Sequence, residues 1–135
     1  MNRLLLLLLA MLPLFSVAAD DANAWQALRE GRALILMRHA TAPGTGDPAN
    51  FRLGQCETQR NLNAQGRAEA RRWGELLASQ GIEQPRLLSS RWCRAQDTAS
   101  TMQRGPVQPF PALDSFFGQP EEGSEQTAEL IRQIN

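Results

Sequence analysis

The chain has 135 residues, with 14 basic side chains, all arginine, balanced by 14 acidic ones. A length of this order supports one core, and a net charge of zero gives no electrostatic case for nucleic acid or an anionic membrane. Ordinary apolar and charged fractions exclude wholesale disorder, and without lysine any phosphate-binding cation must be a guanidinium.

The first nineteen residues read as a signal peptide. Arg3 supplies a positive start, Leu4 to Leu12 form an apolar run, and Pro13 breaks it. Val17-Ala18-Ala19 then offers the small residues that a signal peptidase reads. A spanning helix needs roughly 20 apolar residues, so the run is too short to cross a bilayer comfortably. The expectation is a mature chain from Asp20, periplasmic or secreted, with no stable membrane anchor after cleavage; the alternative is an uncleaved N-terminal anchor. In an oxidising compartment Cys56 and Cys93 either form one disulfide or remain two buried thiols. Two cysteines and one histidine show no zinc-ligand spacing, so no metal and no cofactor are expected.

Ala22 to Glu30 predicts a short helix stopped by Gly31. Ala33-Leu34-Ile35-Leu36-Met37 is a continuous apolar run, suited to a strand covered on both faces. A long Gly/Pro-rich loop follows from Thr41 to about Glu57, of a length that is usually functional or mobile. Asn63 then stands as N-cap of a helix over Ala64 to Ser79, closed by Gly81, with Ala70, Trp73, Leu76 and Leu77 on one side. Arg86 to Ser90 predicts a second strand, Cys93 to Gln103 a second long helix, and Val107 to Phe110 a third strand weakened by its prolines. A last helix runs from about Ser124. Such alternation predicts an α/β sandwich with a mostly parallel sheet, whose ligands gather beyond the carboxyl ends of the strands. Arg38-His39 and Ser89-Ser90 both fall at such ends.

His39 is the sole histidine, and a lone histidine is more often structural than catalytic. Its surroundings favour chemistry. An imidazole can attack phosphorus if arginines neutralise the phosphoryl oxygens and a carboxylic acid protonates the leaving oxygen. Arg38 is adjacent, and Ser89-Ser90-Arg91-Trp92-Cys93-Arg94-Ala95-Gln96-Asp97-Thr98-Ala99 follows the second strand.

These segments resemble the histidine phosphatase superfamily. Leu34 to Ala40 is similar to its apolar strand followed by Arg-His-Gly. Ser89 to Ala99 is similar to its Ser-Ser-x-x-x-Arg-Ala-x-x-Thr-Ala element. Asn61-Leu62-Asn63-Ala64-Gln65-Gly66, with Ala68 and Ala70, is similar to its Leu-Thr-x-x-Gly-x-x-Gln-Ala helix start. The resemblance covers roughly residues 33 to 123 and implies a three-layer, phosphoglycerate mutase-like sandwich. It makes His39 the nucleophile and Arg38 and Arg94 the phosphate ligands. Arg91 is the competing arginine but falls out of register. Thr41 and the loop after it are further candidates to contact phosphate. Arg60 either lines the pocket or pairs on the surface.

Leu113-Asp114-Ser115-Phe116-Phe117-Gly118, running on to Glu122-Gly123, is similar to the family's Leu-x-Glu-x-x-x-Gly and Glu-Gly. Asp114 is therefore the candidate acid, with Glu121 and Glu122 behind it and a plain turn role as the alternative. Two departures stand out: Ala40 replaces a glycine, and the family's second histidine has no counterpart here. The C-terminal part of the domain is accordingly expected to be missing, the sequence being a piece of a longer chain.

The resemblance implies a metal-independent hydrolase of a small phosphomonoester, through a phosphohistidine. The alternatives are a mutase, a non-catalytic binder of phosphate esters, and a disulfide-bonded periplasmic structural domain. Cys56 to Leu62 is similar to exported relatives acting on lipopolysaccharide core heptose phosphate, which puts an envelope sugar phosphate among the candidate substrates.

Overall fold

In this computed structural model the described residues are 16–135, with side chains described from Asp20 onward. The expected signal peptide over residues 1–19 lies largely outside them. The described residues up to Leu36 belong to one compact unit and Met37–Asn135 to a second.

In the first unit, α1 spans Ser16–Arg29, starting six residues ahead of the expected helix. Gly31 ends it with φ of +69°, the left-handed region that favours glycine. The apolar run over Ala33 to Met37 corrects the sequence expectation: it is not part of any sheet, and Leu34 and Leu36 are exposed, at 52% and 70%. Apolar composition records a capacity for burial. A strand also needs a neighbouring backbone to pair with.

The second unit is built on α2 (Ala64–Ser79), β1 (Leu87–Ser89), α3 (Cys93–Thr101), β2 (Val107–Pro109) and α4 (Gly123–Ile134). β1 and β2 are parallel neighbours, in register Leu87 to Val107 and Ser89 to Pro109. The α3 crossover between them makes a βαβ unit, the connection that parallel strands require. Three-residue strands reflect the prolines at 106 and 109, which cannot donate to a ladder. The result is an α/β arrangement of helices around a small parallel sheet.

Asn63 caps α2 as expected, its side chain accepting the Gly66 amide at 2.8 Å, a contact that contributes about 1 kcal/mol. The buried stripe of α2 differs from the expected one. Gly66, Ala70, Gly74 and Leu77 face inward, whereas Trp73 and Leu76 are 37% and 38% exposed. Small residues won because backbones press against this face. A Cβ on Gly66 would stand 2.1 Å from the Thr41 carbonyl oxygen, and one on Gly74 would stand 2.0 Å from that of Met102. Ala40 and Ala42, from the loop that follows His39, form a buried core cluster with Leu62 and Ala70.

Candidate active site

The backbone around His39 is held by the two helices that flank it. The Ala40 amide donates to the Thr98 hydroxyl at 3.0 Å, and that hydroxyl donates to the Arg94 carbonyl at 2.7 Å. From α2, Glu69 accepts the Thr41 amide and the Thr41 hydroxyl, each at 2.9 Å. Both donors of Thr41 are thereby taken, and its carbonyl accepts from Asn63.

His39 is half-buried. Its Nδ1 lies 2.7 Å from the Ala40 carbonyl oxygen, which only accepts, so Nδ1 carries the proton and Nε2 presents a lone pair. Burial pushes the imidazole pKa below its ordinary value, and the positive charges of Arg94, Arg38 and Arg60 push it the same way, against the Ala40 carbonyl. A neutral imidazole among cations is suited to act as a nucleophile toward an anion.

Arg38 is exposed, with no hydrogen bond or ion pair among the described residues. Arg94, at the start of α3, is buried, with its Nη1 on the Asp47 carboxylate at 2.7 Å. Arg60 straps the loop after His39: its Nε donates to the Gly46 carbonyl at 2.7 Å and its Nη1 to that of Ala42. Burial and the neighbouring Arg94 and Arg38 lower the Arg60 pKa, and Asp47 opposes them. Three guanidinium groups therefore share one electrostatic neighbourhood with His39. Of the two sequence alternatives for Arg60, a surface ion pair is not what its guanidinium makes: it bonds backbone carbonyls of the loop.

Asp114 is 6% exposed and ends a short turn after β2. Its carboxylate accepts from the Arg91 amide at 2.8 Å, from Arg91 Nε at 2.6 Å and from the Ser90 hydroxyl at 3.3 Å. The candidate acid and the out-of-register arginine thus satisfy each other at the end of β1. Glu121 and Glu122 are exposed in a turn before α4.

Cys56 and Cys93 form a disulfide with Cα atoms 5.7 Å apart. It joins the strap segment to the residue immediately before Arg94. Gln59 reinforces the joint, accepting the Cys93 amide at 3.0 Å while donating to the Arg52 carbonyl at 3.1 Å.

Asp47 and Gln59 escaped the sequence reading. Asp47 sits in a glycine-rich loop and carries no local signal of the ion pair it makes across 47 positions. Among the described residues, no group of three or more histidine, cysteine, aspartate or glutamate side chains is placed to hold a metal ion.

No curated protein and no solved structure matches the chain. The sequence model of the histidine phosphatase superfamily (branch 1) matches residues 34–133, a stretch that contains every residue of the site above. With the match covering most of its length and His39 set among arginines, the chain belongs to the histidine phosphatase superfamily.

Proposed function

We propose that the chain is a phosphomonoester hydrolase working through a phosphohistidine on His39. The observation that carries this reading is the imidazole itself, held with Nδ1 protonated and Nε2 open, amid the charges of Arg38, Arg60 and Arg94. Nε2 attacks phosphorus while the bond to the leaving alcohol oxygen breaks. The arginines neutralise the phosphoryl oxygens. Water then adds to the phosphorus of the phosphohistidine and the P–N bond breaks, releasing inorganic phosphate. On this reading the reaction proceeds without metal.

Asp114 remains the acid that the family pattern points to. Its geometry sets a condition, because the Arg91 pair must open before the carboxyl can hold and deliver a proton. Thr41 is reassigned: with both donors on Glu69, it anchors the loop and leaves phosphate to the arginines.

The two-stranded parallel sheet is taken as the nucleus of a three-layer sandwich whose domain begins after a signal peptide over residues 1–19. Export to the periplasm or beyond is supported by the Cys56–Cys93 disulfide, since such bonds persist in oxidising compartments. The substrate class is a small phosphomonoester, with an envelope sugar phosphate as the candidate drawn from the Cys56–Leu62 resemblance.

The test is a rapid quench of the full chain with p-nitrophenyl phosphate, read by phosphorus NMR for an acid-labile phosphohistidine. The wild type should accumulate it and His39→Ala should not. Undiminished hydrolysis by His39→Ala overturns the reading.

A further inference from the structure

Asp47 is the carboxylate bound to a phosphate-site arginine, and each of its two oxygens meets a fixed donor. Oδ1 accepts from Arg94 Nη1 at 2.7 Å and from the Arg60 amide at 3.1 Å. Oδ2 accepts from the Trp92 indole nitrogen at 3.0 Å. Trp92 is steadied in turn by Phe51, stacked on it with ring centroids 5.2 Å apart and planes 20° from parallel. The loop carboxylate is thus pinned by both the strap residue and the first turn of α3.

On the other side of the ion pair, only one nitrogen of Arg94 is used. Nη1 faces Asp47 and, at 3.5 Å, the Arg60 carbonyl. Nε and Nη2 have no partner among the described residues. A guanidinium has a second edge of parallel N–H donors matched to phosphate. Resting on the phosphate role proposed for Arg94, we propose that Asp47 is a positioning residue that clamps Arg94 through Nη1 and leaves its Nε–Nη2 edge ready for phosphoryl oxygens.

A rival role for the same contact is an internal counter-ion that competes with substrate for Arg94. The two differ in sign. Deleting a carboxylate from among arginines tightens anion binding if only charge matters. If Asp47 positions Arg94, its deletion frees a long side chain to reorient and loosens anion binding, against the charge effect.

The experiment titrates inorganic phosphate calorimetrically into the full chain as wild type, Asp47→Ala, Arg94→Ala and the double variant, with kcat and KM for p-nitrophenyl phosphate alongside. Asp47→Ala should weaken phosphate binding about tenfold, the scale of one charge-assisted hydrogen bond. In the Arg94→Ala background it should produce no weakening, because nothing remains to position. Tighter or unchanged binding in Asp47→Ala overturns the proposal, as does equal weakening in both backgrounds, which marks general loop damage. Should Asp47→Ala fail to fold, Trp92→Phe removes one anchor of Asp47 while keeping its charge and the ring stack. That variant should weaken phosphate binding by a smaller factor, and unchanged binding overturns the proposal.

The outcomes separate the two readings. Phosphate binding with the expected pattern but no phosphohistidine removes the hydrolase reading and leaves Asp47 as clamp. Turnover with binding insensitive to Asp47→Ala removes the clamp alone. A wild type that neither binds phosphate nor turns over removes both.

Discussion

The Ala40 amide donates to the Thr98 hydroxyl at 3.0 Å, joining the residue after His39 to α3 across 58 positions of sequence. Both partners are buried, and the same hydroxyl closes onto the Arg94 carbonyl, so the loop that presents His39 and the helix that presents Arg94 share one polar atom. The Thr-Ala pair of the family pattern thereby has a physical reason here: a hydroxyl is needed that can accept and donate at once.

Thr98→Val should therefore leave the Ala40 amide buried without a partner. The expected loss is about 1–3 kcal/mol of stability, the cost of an unsatisfied buried donor. Thr98→Ser should restore most of it. Urea denaturation of the three proteins checks this, with activity expected to fall along with the lost alignment of His39 and Arg94.

His39 is the sole histidine, so its imidazole signal in an NMR titration is unambiguous. Its pKa should lie below the ordinary value of about 6.5, because burial and three arginines disfavour the cation. If His39 is the nucleophile, as proposed, its reactive form is the neutral one, so activity should hold as pH falls through 6.5 and decline only around the lowered pKa. Arg94→Ala removes one repelling charge and should move the titration back up. A pKa at or above the ordinary value contradicts the geometry described.

Asp114→Asn separates an acid from a strut. Loss of a proton donor should slow esters of alkyl alcohols far more than p-nitrophenyl phosphate, whose leaving group needs no proton; general acids typically contribute 10²–10⁴-fold. If Asp114 serves only to hold Ser90 and Arg91, both substrates should slow alike. Arg91→Ala, measured beside it, reports what the ion pair contributes to holding the turn.

Reduction of Cys56–Cys93, or Cys93→Ser, opens a loop closed across 37 positions. Loop-closure entropy puts the expected loss at about 4 kcal/mol. Thermal unfolding with and without reductant measures it. Because Cys93 precedes Arg94, weaker phosphate binding should accompany the reduced state at temperatures where it is still folded.

The helices show what local chemistry can specify. Asn63 as cap, Ala64 to Ser79 as helix and Gly81 in the left-handed region all follow from nearest-neighbour preferences, and all stand in the structure. The short strands at Leu87–Ser89 and Val107–Pro109 lie within the expected segments for the same reason. Ala33 to Met37 shows the limit: its apolar run carries no information about which backbone would pair with it. On α2 the same limit applies in part: Ala70 and Leu77 are buried as expected, but Gly66 and Gly74 replace Trp73 and Leu76 on the inward stripe, because neighbouring backbones there need the absence of a side chain.

By itself, then, the sequence determined the family and the limits of α2, and it singled out Arg38, His39 and Arg94 as candidates, since each depends on residue identity at short spacing. Only the tertiary structure decided that Cys56 reaches Cys93, that Asp114 is engaged by Arg91, and that Asp47 holds Arg94. Those pairings join positions 23 to 47 residues apart, and a side chain's chemistry says what it can bond but not which partner the folded chain will bring to it.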